Sequence, residues 1–324
     1  MLEHLIFERF DSSSTLSEQS LRLLHQQQET WPQLIEGYAA FADVKKKPIE
    51  CSGYSVVLQW NPKRIVSSAA KTDPKSIRDR PCFLSVENLP PEQRGILYRN
   101  EFLVLCNPAP IVDRHLTISH IEHVPQAVET YLGTMFLLAK DFSPSFTVVY
   151  NGARCGASAP DHMHFQACPT GVIPVEIDVV GSAHRHRERS IDGVDVLTMK
   201  DFGREVIVLE GTEMSALVAV FQRLMRAMRV EEHTEEEPKI NLLCSYANNA
   251  WRTIVFPRTK HRPDVYYKEG DEQVLLSPAT IDIGGLPVVP LERDFLRVDR
   301  AMIESIFAEV SLDRASVARI IAAL

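Results

Sequence analysis

Apolar residues recur at helical spacing through residues 14–42, at Leu16, Leu21, Leu23, Leu24, Leu34 and Ile35, with Pro32 interrupting the run. Period-two or continuous apolar runs follow and predict strands at 53–60 (GYSVVLQW), 101–106 (EFLVLC) and 114–120 (RHLTISH). Between the last two, NPAPIVD excludes a helix through its prolines. A helix is expected over 124–142, from Val128, Leu132, Met135, Phe136 and Leu138, then a strand at 145–151. The polar stretch 70–81, which includes Lys71, reads as a loop, and so do the basic knot HRHRER (184–189) and the acidic EEHTEEEP (231–238). The second half repeats the order strand, strand, helix, strand, strand: VDVLTM, REVIVLEG, a helix over 213–230, INLLCSY and TIVFPR. The terminal SVARIIAAL is helical. The expected fold class is α+β, an antiparallel sheet with flanking helices in two related halves. Residues 1–75 form an N-terminal extension, 76–195 a first half and 196–324 a second.

The densest chemistry lies at 156–169, GASAPDHMHFQACP. Side chains alternate between the faces of a strand. His162, His164 and Gln166 therefore share one face, and Met163, Phe165 and Ala167 anchor the other. A neutral imidazole is a competent nucleophile near neutral pH. The preceding loop, NGARCGASAPD, offers glycine-freed backbone N–H groups and the Ser158 hydroxyl to phosphate oxygens. Two histidines in this pattern also suit the edge of a metal site.

Composition narrows the field. A formal charge of −8 argues against a nucleic-acid partner. The six cysteines form no CxxC pair, as expected of reduced cytosolic thiols. The N-terminus lacks the pattern of a signal peptide, and no apolar run has the length of a membrane span, so a cytoplasmic protein without a membrane partner is expected. Neither GxxxxGK[ST] nor GxGxxG occurs.

HMHFQ resembles the His-x-His-x-Gln signature of the transferase branch of the histidine-triad superfamily. That branch contains galactose-1-phosphate uridylyltransferase, diadenosine tetraphosphate phosphorylase and the GDP-hexose phosphorylases. The segments NPAPIVDRHLTISHIEHVPQ (107–126) and RPCFLSVENLPPEQRG (80–95) resemble further elements of it, so the likeness covers roughly 80–170 well and the C-terminal half loosely. The resemblance implies a nucleotidyltransferase or phosphorylase acting on a nucleoside diphosphate-sugar or dinucleoside polyphosphate. His164 would be the nucleophile, with His162 and Gln166 beside it, and Asn151, Gly156 and Ser158 would hold phosphate. Phosphate or a sugar phosphate would be the acceptor. The uridylyltransferases carry a structural zinc, and their ligand positions correspond here to Cys82, Ser85, His115 and His162. Serine replaces a soft thiolate, so tight zinc binding is not expected of that set. Zinc or magnesium remain the metals to consider, and Cys82, His115 and His162 the residues.

Arg258 and Lys260 in FPRTKHRP are candidates for phosphate or acceptor binding, whereas NPKR (61–64) reads as a solvated turn and IDIGGLPVVP (281–290) as a covering loop. Two rival functions stay open: a metal-dependent phosphoester hydrolase using His115, His162 and His164, and a non-catalytic nucleotide-binding protein.

Overall fold

The strands of this computed structural model are β1 (Ile6–Arg9), β2 (Lys45–Cys51), β3 (Tyr54–Trp60), β4 (Gly95–Tyr98), β5 (Phe102–Cys106), β6 (Leu116–His120), β7 (Phe146–Asn151), β8 (His164–Pro169), β9 (Arg185–Ile191), β10 (Val194–Met199), β11 (Ile207–Gly211), β12 (Ile240–Ala247), β13 (Ala250–Pro257) and β14 (Val288–Val289). The structure describes residues 2–11, 13–68, 73–181 and 183–324; Lys71 lies outside them. Eleven strands form one sheet in the order β1-β4-β5-β6-β8-β7-β12-β13-β11-β10-β9, and β14-β3-β2 form a second.

The order is a repeat. β4-β5-β6-β8-β7, with the helix Val128–Asp141 between β6 and β7, is mirrored by β9-β10-β11-β13-β12, with the helix Met214–Glu232 between β11 and β12. The two sets join through antiparallel β7 and β12, where Asn151 lies opposite Asn241. The expected α+β fold, an antiparallel sheet with flanking helices, is what the chain adopts. Only β1 departs within the large sheet, running parallel to β4.

Both faces of the sheet are covered, which explains why runs such as FLVLC are continuously apolar rather than alternating. Val148, Tyr150, Phe165 and Ala167 pack beneath the two long helices, against Leu132, Phe136, Leu224 and Met228. Val149, Cys168, Leu243 and Phe256 face the other way, onto Ile281, Ile283, Val288 and Phe307. Each such large side chain contributes about 1.5–3 kcal/mol on burial. The first helix, Leu16–Thr30, starts at a Thr15–Glu18 capping box, and Pro32 stands in the first turn of the next, Pro32–Ala42, where its missing N–H costs nothing.

Three loop readings change. HRHRER forms most of β9, an edge strand antiparallel to β10 whose charges discourage pairing with another chain. Within 70–81, Pro74–Arg78 is a short helix capped by Asp73. In EEHTEEEP, Glu237 turns inward: its carboxylate accepts from Val128 N–H (2.6 Å) and Tyr150 O–H (2.5 Å), and burial pushes its pKa up to about 7. No helix among the described residues is long and apolar enough to cross a membrane.

Candidate active site

His164 opens β8, between β6 and β7, at the point where the loop 152–163 joins the sheet. Its side chain is 4% exposed and borders a cleft of about 660 Å³. Nδ1 lies 2.8 Å from the carbonyl oxygen of His162. An oxygen can only accept, so Nδ1 carries the hydrogen and Nε2 the lone pair. Burial, above all, lowers the pKa to about 4, which keeps the ring neutral.

The same cleft is bordered by Gln166, Ser158 and Thr117, by the cations Lys63, Arg64 and Arg80, and by apolar walls that include Trp31, Phe83 and Leu105. Phe83 is 49% exposed, with the Arg80 guanidinium 5.2 Å above its ring. Arg80 also donates to Ser158 O (3.0 Å) and so holds the glycine-serine loop. A smaller cavity of about 60 Å³ adjoins the cleft, sharing Arg64, Ser158 and Gln166, and adds Asn151, Gly156, His261, Arg262 and Asp282. Gly156 has φ +101°, and a Cβ there would meet the Cβ of Ala279 at 2.6 Å. Only glycine lets the loop approach so closely. The Asn151 amide oxygen accepts from Thr280 N–H (2.9 Å), which leaves its NH2 end to offer a ligand. Asp282 accepts from Val288 N–H (2.9 Å) and Ala279 N–H (3.0 Å), and burial raises its pKa to about 6.

The structure thus gathers His164, Gln166, Asn151, Gly156 and Ser158, and it redirects the other candidates. Ladder pairing of β8 begins at His164, not His162. The His162 ring turns toward Cys82 (Nδ1 to Sγ, 3.3 Å) while Nε2 donates to His120 O (2.8 Å), so its contact with His164 is through its carbonyl. Arg258 is fully buried and donates to Asn241 Oδ1 and to the carbonyls of Val310, Pro278, Lys260 and His261, so it holds the chain rather than a phosphate. Lys260 pairs at the surface with Asp264 (2.8 Å) and Glu309 (2.7 Å). Their neighbour Arg262 borders the small cavity instead. Arg64 of NPKR and Asp282 of IDIGG, read as a solvated turn and a covering loop, both line the site.

His115 is also displaced from its expected place. Its Nε2 is 2.7 Å from Gln166 Oε1 and its Nδ1 3.3 Å from Ile111 N. Among the described residues, those grouped closely enough for a metal are Cys82, His123 and His162, whose ligand atoms lie within 4.8 Å of one another. The His123 ring stacks on His162, with centroids 5.1 Å apart. Ser85, one turn beyond Cys82, is buried with its hydroxyl unpartnered. One thiolate and two imidazoles fit zinc and not magnesium, which prefers oxygen ligands. The hydrolase set of His115, His162 and His164 is not assembled.

Sequence reasoning passed over Gln126, which is 3% exposed and hydrogen-bonds His164 and Asn151 through their main chains. Nothing in the pattern HVPQ distinguishes it from a loop residue.

Residues 23–169 match the family model "Domain of unknown function (DUF4922)", and residues 181–323 match "GDPGP1-like, C-terminal domain". Among solved structures, yeast Ap4A phosphorylase Apa2 is similar at TM-score 0.55 and 15% identity, over 90% of this chain and 94% of that one. Its complex with Ap4A gives TM-score 0.55 and 15% identity over 90% and 97%, and its complex with AMP 0.51 and 16% over 86% and 96%. At that identity the likeness establishes the fold alone. No curated protein matches the chain by sequence. The matched C-terminal model and the shared fold agree with the resemblance of the His-x-His-x-Gln strand to the transferase branch of the histidine-triad superfamily.

Proposed function

We propose that the chain is a nucleotidyltransferase of phosphorylase type, acting on a nucleoside diphosphate-sugar or a dinucleoside polyphosphate. The observation that carries this reading is the tautomer of His164: Nδ1–H is committed to the His162 carbonyl, and the residue borders a cationic cleft beside Gln166 and Ser158. The Nε2 lone pair attacks the α-phosphorus, and the nitrogen–phosphorus bond forms as the bond to the bridging oxygen breaks. The electron pair leaves on that oxygen with the departing nucleoside polyphosphate or sugar phosphate, which is stable as an anion. The imidazolium character that develops at the attacking ring is offset by the His162 carbonyl at Nδ1–H. An oxygen of the acceptor phosphate then attacks the same phosphorus, and the pair returns to Nε2.

The nucleoside occupies the wide cleft between Trp31, Phe83 and Leu105. The departing and accepting phosphates use the small cavity, where Asn151, Arg64 and Arg262 supply donors and positive charge. On this reading residues 76–195 carry the chemistry, and 196–324 are a degenerate copy contributing Arg262 and Asp282. Zinc held by Cys82, His123 and His162 would tie the 82–88 segment to the start of β8, a structural rather than a chemical contribution. The fold shared with a yeast Ap4A phosphorylase, solved with Ap4A and with AMP, supports a purine nucleotide in the cleft.

The test is covalent labelling. Protein incubated with radiolabelled Ap4A or a GDP-hexose should retain acid-labile nucleotide, and His164→Ala should retain none. A wild-type protein that binds nucleotide and labels with no member of the panel would sink the proposal in favour of the non-catalytic reading.

A further inference from the structure

We propose that His115 is a positioning residue that fixes the polarity of the Gln166 amide, so that its NH2 end and not its oxygen faces the phosphates. The inference rests on the reading above and assigns a role to a histidine that the transfer steps do not use.

A glutamine side chain ends in two groups of nearly the same size and shape. Packing cannot distinguish them; only hydrogen-bond partners can. For a phosphate the difference is one of sign, because the NH2 end attracts an oxygen and the carbonyl end repels it. Gln166 borders both the cleft and the small cavity, so whichever end is turned outward meets the ligand.

The selecting partner lies opposite. His115 Nε2 is 2.7 Å from Gln166 Oε1. An imidazole could present either a proton or a lone pair there, so its own tautomer must be set from elsewhere. The backbone N–H of Ile111, 3.3 Å from Nδ1, does this. A main-chain amide can only donate, so Nδ1 accepts and the single ring proton of the neutral imidazole goes to Nε2. Nε2–H then donates to Gln166 Oε1, and the free end of the amide is NH2. A protonated ring would set two donors against each other at Ile111. Full burial and the nearby Arg64 charge, which lower the His115 pKa to about 4, exclude that form near neutral pH.

The sequence explains why the first donor in the chain stays in place. Ile111 follows Pro108 and Pro110, and the Asn107 side chain accepts from Ala109 N–H (2.9 Å), so the segment is held as a short rigid turn. Polarity passes from a fixed backbone group, through an imidazole, to an amide at the reacting centre. No proton moves along this chain.

A double-mutant cycle on the full chain decides the matter, read as the single-turnover rate of labelling with Ap4A or a GDP-hexose. His115→Phe should slow labelling about 10- to 100-fold while the Kd for AMP or GMP changes less than about threefold. His115→Gln places an amide donor near the position of Nε2 and should restore the rate to within about fivefold. In a Gln166→Ala background, His115→Phe should add less than about threefold. Independent multiplicative effects of the two substitutions would overturn the proposal. A second readout needs no activity: the 15N shifts of the His115 ring in the resting wild-type protein should show Nδ1 bare and Nε2 protonated. The opposite tautomer overturns the assignment even if the enzyme is active. A protein that labels with nothing yet shows the expected tautomer would defeat the nucleotidyltransferase reading and leave the polarity chain standing.

Discussion

Gln126 holds His164 by both ends of one amide: its Oε1 accepts from His164 N–H (2.8 Å) and its Nε2 donates to His164 O (3.1 Å). The same Nε2 donates to Asn151 O (2.8 Å), so one side chain ties together the ends of β7 and β8 where the loop 152–163 leaves the sheet. These are the groups that ladder pairing does not reach, since β7 and β8 pair only from Val149 and Gln166 outward. Gln126→Leu leaves buried main-chain donors and acceptors unpaired and should destabilise the fold by about 1–3 kcal/mol. Labelling at His164 should fall more than binding, because the ring loses its placement. Urea denaturation and single-turnover labelling check the two effects; a variant with wild-type labelling would refute the positioning role.

Elemental analysis of protein purified without added metal should find close to one zinc per chain. Cys82→Ala and His123→Ala should each lower that content severalfold, and His115→Gln should leave it unchanged. The last arm separates the Cys82, His123 and His162 cluster from the set that the sequence resemblance implied. Metal-free wild-type protein of full stability would refute the site.

Strands β3, β5–β8 and β10–β13 and both long helices were legible because they are governed by local periodicity, whereas β1, β2, β4, β9 and β14 carry too few apolar positions or too much charge or proline to announce themselves. The HMHFQ face was legible because alternation in a strand is strict. The loop between β7 and β8 was legible as a loop through its glycines. What the sequence could not supply was which side chains spend their donors on the chain itself. Arg258 and Arg262 look equivalent in FPRTKHRP, yet a four-residue shift along an irregular segment buries one against Asn241 and Val310 and brings the other to the small cavity. His115 and His123 are likewise two members of one histidine-rich stretch. β6 separates them, so one looks toward Gln166 and the other toward Cys82. Gln126 and Trp31 reach the site from loop and helix ends, where no periodicity marks them.

The basic knot provides a direct contrast. Arg258→Met removes a buried charge whose five acceptors have no water to turn to, and should cost about 3–5 kcal/mol or prevent folding. Lys260→Ala removes only solvent-screened surface pairing with Asp264 and Glu309, so it should cost little stability and should leave labelling unchanged. A selective loss of labelling in Lys260→Ala, with stability intact, would restore that lysine to the site.

His115 also makes stability depend on pH, with a sign that follows from its burial. Its folded-state pKa of about 4 lies below the ordinary value of 6.5. As pH falls through 6.5 the unfolded chain takes up a proton that the folded chain refuses, so stability is lost between pH 6.5 and 4, at about 1.4 kcal/mol per pH unit. By pH 5 the loss from this one group is about 2 kcal/mol relative to pH 7.5. Asp282 and Glu237 act in the opposite direction, because burial raises their pKa values to about 6 and about 7 and their folded-state protonation favours the fold at low pH. Those two terms are common to wild type and His115→Gln, so they cancel in the comparison. Between pH 7.5 and 5, the urea-derived stability of the wild type should fall by about 2 kcal/mol more than that of the variant. Parallel pH profiles would mean that the ring accepts a proton in the folded protein, and a ring able to do so could not hold the lone pair toward Ile111.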